Sequence, residues 1–277
     1  MKKVLWFALY IFLFCLFTLI SQTGGLILLL CIPLYRFIGK RISKRWLRNI
    51  LKPASFITVY LLITVTLTPL FASFFGRQPL PINSNAHLKP LSNWTWILNR
   101  HYVSQNMIDV LESSTDELSV KNERVVISYL DGCFPFIDNF PLLPHISHDD
   151  GKKLDLAFFY KGPSGQLING DAPSFIGYGV YEGPKEGEKD QPYYCEAKGY
   201  WHYSIIETFV PQGRKQELTF DQARTKELIQ TIANNRNVSK IFIEPHLKNR
   251  LNLNSPKIRF HGCQAVRHDD HIHVEVN

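Results

Sequence analysis

Residues 4–34 are apolar almost without interruption: they carry no charge, and only Thr18, Ser21, Gln22 and Thr23 are polar. A helix needs about 20 apolar residues to cross a hydrocarbon core. This run is therefore too long for one simple span and short for two. Gln22-Thr23-Gly24-Gly25 in its middle has the composition of a turn. The pattern predicts two short helices over about 4–21 and 25–38, and leaves open a single long tilted helix. A second apolar run covers 56–75, with Pro69 as a kink that a membrane helix tolerates. Between the runs, residues 36–52 hold seven Lys/Arg and no acid, which reads as a cytoplasmic loop. With that loop inside, the last helix delivers everything after Arg77 to the outside. A cleaved signal peptide opening on Lys2-Lys3 is the competing reading; the length of the stretch and the second run argue against it.

Beyond Arg77 the pattern changes. Residues 79–90 are rich in Pro and turn-formers and read as a linker, which leaves a soluble domain over 91–277. Within it, 124–130 is β-branched and aromatic and ends in Asp131-Gly132, a strand and turn. Residues 154–160, 240–243, 258–266 and 271–276 read as further strands. Phe220, Ala223, Leu228, Ile229 and Ile232 have helical spacing. The Gly- and Pro-rich stretch 161–191 reads as a long loop or irregular hairpin. The expected fold class is α+β: a small central antiparallel sheet with flanking helices, preceded by an N-terminal transmembrane helical anchor over 1–78, with two or three helices.

Composition changes the picture in one respect. The chain of 277 residues is 45% hydrophobic, which excludes a disordered or fibrous protein. Its net charge of +7 would suggest an acidic partner, but ten of the 31 basic residues lie in 1–78, where there is no acid. The remainder has 21 bases against all 24 acids. The excess therefore belongs to the anchor and to membrane lipid, and no nucleic-acid partner is implied. Of five cysteines, Cys133, Cys195 and Cys263 lie in the exported part, where one disulfide and one leftover thiol are allowed. The sequence does not choose the pair, and three small buried hydrophobes are the alternative.

The candidate chemistry lies in two histidine clusters. In His145-Ile-Ser-His148-Asp-Asp-Gly-Lys-Lys-Leu-Asp155, the turn-forming Asp149-Asp150-Gly151 lets His148 meet Asp155 on the next strand. An imidazole and a carboxylate are a standard ligand pair for zinc. In His268-Asp-Asp-His271-Ile-His273-Val-Glu-Val276, strand alternation puts His271 and His273 on one face and Ile272, Val274 and Val276 on the other. Together the clusters use five of the ten histidines and supply the two His and one carboxylate of an open catalytic zinc site.

His148-x-x-Gly151-x-x-x-Asp155, followed by His271-x-His273, resembles the zinc D-Ala-D-Ala metallopeptidases and murein endopeptidases. The penicillin-insensitive murein endopeptidase branch is the nearer likeness, through His145 three residues before His148 and through the pattern 268–273. Residues 240–248 resemble that family's strand-proline-helix element. The resemblance covers roughly 125–171 and 220–276. It implies one zinc held by His148, Asp155 and His273, with His271 in the acid/base position, and His145 and His268 lining the site. The implied substrate is a peptidoglycan peptide, cleaved at the outer face of the cytoplasmic (inner) membrane, on the periplasmic side. Lys152-Lys153 inside the first motif and the membrane anchor depart from that branch. Asp269 and Asp270 are candidate orienters of the imidazoles, or a solvated turn. Two other readings follow from the same residues: a non-catalytic zinc-binding or wall-binding module, and a zinc hydrolase acting on a non-peptide bond.

Overall fold

The computed structural model describes residues 2–83 and 87–277. The first apolar run forms a helix over Lys2–Ser21, and its 18-residue stretch Val4–Ser21 is long and apolar enough to cross a membrane. At Gln22 the backbone turns left-handed, with φ 62°. The chain then folds back through Gly24–Leu30 and Ile32–Arg41. The return needs glycine: a Cβ at Gly25 would lie 2.0 Å from Thr18 Oγ1 and 2.6 Å from the Phe14 carbonyl.

The expected basic loop 36–52 is mostly helical. Only Ile42, Ser43 and Lys44 separate Ile32–Arg41 from the next helix, Arg45–Val65. Lys and Arg are good helix formers, and Lys40 and Arg41 complement the dipole at a helix C-terminus. Arg45–Val65 and Leu67–Phe75 pass as one membrane span only when taken together across a 42° bend. The bend is where Pro69 should put it, because a proline ring clashes with the carbonyl four residues back, here that of Val65.

The expected linker 79–90 is not free where it is described; Ser84, Asn85 and Ala86 lie outside the described residues. Gln78–Pro79 pairs antiparallel with Tyr102–Val103, and Leu80 is buried. Leu88–Pro90 pairs parallel with Ile127–Tyr129 at the edge of the main sheet, a place where proline is tolerated. The N-terminal helices are also tied to the domain by polar contacts. Asn99 Nδ2 donates to Thr23 Oγ1 (2.9 Å) and the Ser21 carbonyl (3.3 Å), the Tyr60 hydroxyl donates to the Ile97 carbonyl (2.6 Å), and Gln22 Oε1 accepts from the Phe136 amide (2.8 Å).

The main sheet has six strands, in spatial order Ile258–Arg259, Val238–Phe242, His271–Val276, Lys153–Ala157, Ile127–Tyr129, Leu88–Pro90. Its centre is antiparallel as expected, but both edge pairs are parallel. Each parallel pair is joined by a crossover that contains helix: Pro245–Arg250 on one side, Gln105–Lys121 on the other. The strand expected over 258–266 stops at Arg259, and Gly262 takes φ 104° in the irregular segment that follows.

One face of the sheet packs on Gln105–Lys121 and Gln222–Asn234. Ile272, Val274 and Val276 join Met107, Leu111, Leu228 and Ile232 in the core. The opposite face of the same strand carries His271 and His273. The 161–191 stretch opens on a short hairpin, Tyr160–Lys161 with Leu167–Ile168, and is irregular from there to the helix that starts at Gln191.

Candidate metal centre

The first motif is a turn hung between two fixed points. Gly151 takes φ 73°, a conformation that suits glycine, and the Lys152 amide donates to Asp150 Oδ1 at 2.9 Å. Arg77, from the end of the anchor, donates from Nη1 to the Asp150 carbonyl at 2.5 Å and pairs with Asp138. A Cβ at Gly151 would meet that guanidinium at 2.6 Å. Asp155 follows on the Lys153–Ala157 strand, in register with His273 across the ladder.

The expected ligands come together. Asp155 Oδ1 is 2.9 Å from His273 Nδ1 and 3.3 Å from His148 Nε2, and those two nitrogens are 3.1 Å apart. Four ligands about 2.0–2.1 Å from a tetrahedral zinc stand about 3.3 Å from one another. The three donor atoms thus span one face of such a tetrahedron, slightly contracted. His148 donates from Nδ1 to the Gly132 carbonyl at 3.0 Å, which leaves the Nε2 lone pair for the site. The residues present fit a zinc ion.

A second buried group, His145, Asp155 and His271, shares the same carboxylate and could also hold a metal ion. Its nitrogens stand farther from Asp155, at 3.4 Å for His145 Nδ1 and 3.7 Å for His271 Nε2.

The remaining polar groups orient these residues. The Tyr178 hydroxyl donates to Asp155 Oδ2 at 2.8 Å and accepts from the Asp131 amide at 3.1 Å. Asp131 Oδ2 is 3.1 Å from His145 Nδ1 and accepts from Arg100 at 2.7 Å. His271 Nδ1 is held by Asp270, whose other oxygen accepts from the Gly179 amide at 2.6 Å. Of the two aspartates next to His271, Asp270 is therefore the orienter. Asp269 is buried and pairs instead with Arg267 at 2.6 Å, so neither aspartate lies in a solvated turn.

Charge balance follows from burial. Burial alone would raise the Asp155 carboxyl, but His148, His271 and His145 hold it well below the usual range. Burial works against charge on His148 and His271 too. Asp155 overrides it at His148, and Asp155 with Asp270 draws His271 up to about 9. Burial wins at His273, pushed down to about 3, and at His268, which its histidine neighbours depress further.

These groups stand at the floor of a cleft of about 550 Å³, whose surface includes His145, His148, His268 and His273. His271 sits beside that surface, its ring 5.0 Å from His268 and 5.7 Å from His145. A neighbouring lobe of about 400 Å³ shares Ser147, His261 and His273 with the cleft and is lined by Lys153, Lys240 and Arg259. Lys153 is paired with Asp150 at 2.8 Å, while Lys152 is exposed.

All six expected site residues are gathered here. The sequence did not yield Asp131, Tyr178 and His261 as site residues. Tyr178 comes from the Gly-rich stretch, where no periodicity marks it. His261 stacks on Phe242 at 4.0 Å and follows a strand edge without a motif. The disulfide is Cys195–Cys263, leaving Cys133 free and buried. It fastens the cleft wall around 261–266 to the helix Gln191–Ala197. No family model matches the chain, and no curated protein matches it.

Proposed function

We propose that the protein is a membrane-anchored zinc metallopeptidase that hydrolyses an amide bond in peptidoglycan peptides. The observation that carries this reading is the convergence of His148 Nε2, Asp155 Oδ1 and His273 Nδ1 at the floor of an open cleft. This set is preferred to the His145 and His271 group because it is the tighter one and because both of its imidazoles line the cleft. Zinc bound there would lower the pKa of water to about 7 and polarise the substrate carbonyl.

The chain's own groups do the rest. His271, fixed at Nδ1 by Asp270, presents Nε2 as the proton carrier. Zinc on Asp155 would offset the charge that raises His271, so that Nε2 could take a proton during attack on the carbonyl and return it to the leaving amine. His145 and His268 line the cleft where charge develops on the carbonyl oxygen and can donate to it. Tyr178 and Asp131 hold Asp155 and His145 in place. Lys153 and Lys240 of the second lobe are paired with Asp150 and Glu275, which leaves Arg259 as the cation there suited to a substrate carboxylate.

The apolar helices support an anchored protein, with the domain at the outer face of the inner membrane. The buried turn at Ser21–Thr23 and the exit at Arg77 both contact the domain. They therefore lie on one side, and the basic 41–45 corner belongs on the other. The Cys195–Cys263 disulfide suits an oxidising compartment.

The test is zinc content and muropeptide digestion by the full-length protein in detergent. One zinc per chain is expected. It should be lost in His148→Ala, Asp155→Ala and His273→Ala and retained in His271→Ala, which should lose turnover alone. Retained zinc in any of the first three rejects that residue as a ligand. A zinc-loaded wild type that cleaves no muropeptide but cleaves an ester would move the function to a non-peptide bond.

A further inference from the structure

The anchor contains a slot that the proposed function does not use. It has a volume of about 710 Å³ and lies between the Lys2–Ser21 and Ile32–Arg41 helices. The first helix lines it with Phe7, Tyr10, Ile11 and Phe14. The other lines it with Ile32, Tyr35, Arg36 and Gly39. Both stripes follow i, i+3, i+4, i+7 spacing, so each is a single helix face. The Lys2–Ser21 helix packs on Gly24–Leu30, and Ile32–Arg41 packs on Arg45–Val65. The two stripes are left facing the slot.

The lining is apolar apart from two cations, Arg36 and Lys52. No acid occurs anywhere in 1–78, so neither cation has a carboxylate partner within the anchor. Gly39 borders open space: a Cβ there would meet nothing within 4 Å. An apolar slot flanked by two unneutralised cations matches a molecule with hydrocarbon chains and an anionic head. A protein helix of neutral or basic character would leave the cations unpaired.

We infer that this slot binds one anionic glycerophospholipid, with its phosphate held by Arg36 and Lys52 and its acyl chains along the two stripes. The inference rests on the reading of residues 4–75 as membrane-embedded and is independent of the metal centre. A zwitterionic lipid fills the same apolar volume but brings no net charge to the cations.

The experiment uses full-length protein in a non-ionic detergent, titrated with phosphatidylglycerol or with phosphatidylcholine of the same chains. Bound lipid is counted by native mass spectrometry. One phosphatidylglycerol per chain is expected, in preference to phosphatidylcholine. Arg36→Gln with Lys52→Gln should weaken that binding about 30-fold, since each basic residue near a membrane surface accounts for about a factor of five. Lys44→Gln with Arg45→Gln removes the same charge outside the slot and should leave binding unchanged. Gly39→Trp fills the slot from a position with room for the side chain, and should abolish retention of the lipid. Equal retention of the two lipids, or equal loss in the two double variants, would overturn the site. Release of the wild-type chain from membranes by alkaline carbonate would overturn the membrane reading and the lipid site with it, leaving the zinc tests untouched.

Discussion

Arg77 joins the end of the N-terminal helices to the turn between His148 and Asp155, so on the proposed zinc site its removal should weaken zinc binding without touching a ligand. The Arg77 side chain is only 6% exposed, whereas its partner Asp138 is 66% exposed. An ion pair with so exposed a partner contributes little. The buried donation from Nη1 to the Asp150 carbonyl matters more, because a hydrogen bond from a charged donor is worth about 1.5–3 kcal/mol. Arg77→Met keeps the stem and removes that donor. Asp150 is one residue from Gly151, and Gly151 sets the path from His148 to Asp155. If the lost ~2 kcal/mol falls on the zinc-competent turn, zinc affinity should drop about 30-fold. Competition against a chromophoric chelator measures this on the full-length protein. Asp138→Asn is the control and should bind zinc as the wild type does. Unchanged affinity in Arg77→Met would show that the turn holds itself. An excised 79–277 fragment, lacking Arg77, should share the defect.

Three further outcomes are expected. Tyr178→Phe deprives Asp155 Oδ2 of its donor and leaves the Asp131 amide unpaired, so stability should fall by about 1–3 kcal/mol and zinc affinity by about tenfold; an unchanged chelator titration would remove Tyr178 from the site. His101, buried and pushed down to about 3, stays neutral in the folded state while the unfolded chain takes up a proton below pH ~6.5. Stability should therefore be lost as pH falls from there toward the folded value, by about 1.4 kcal/mol per pH unit from this residue, and urea melts of His101→Phe at pH 7 and pH 5 should show a shallower loss than the wild type. Reducing Cys195–Cys263, which closes a separation of 68 residues, should cost about 4 kcal/mol and lower the melting temperature; a melt insensitive to reductant would contradict the bond.

The candidate ligands were legible because their chemistry is concentrated. His148 and Asp155 share one short turn, and strand alternation alone separates His271 and His273 from Ile272 and Val274. The meeting of Asp155 with His273, 118 residues later, depends on strand register, which no local pattern encodes. It could be anticipated only because the combination of motifs resembles a zinc site. The groups around the ligands had no such signal. Asp131 looks like an ordinary strand-ending turn residue, and Tyr178 is one aromatic among several in a stretch without periodicity. The Gln105–Lys121 helix does carry a local signal: Met107, Val110, Leu111, Ser114 and Leu118 repeat at helical spacing and are all buried.

The least legible feature is that anchor and domain form one continuous structure. Composition divides the chain at Arg77, because charge, apolar content and turn-formers all change there. The physical connection uses single polar residues on each side of that division, and composition averages such residues away. Gln22 and Asn99 both adopt positive φ, at 62° and 57°, which is uncommon for residues other than glycine. Each is held there by hydrogen bonds across the division: Gln22 Oε1 accepts from the Phe136 amide, and Asn99 Nδ2 donates to Thr23 Oγ1. Gln22 would otherwise be a polar side chain in the middle of an apolar run, with nothing in a bilayer to pair with. Its partners are the backbone of the domain, which places the turn at the domain-facing end of the helices. The same contact sets how the domain is carried. With Gln22, Tyr60 and Arg77 all joined to it, the domain is docked on the N-terminal helices by polar contacts rather than tethered to them by a flexible chain.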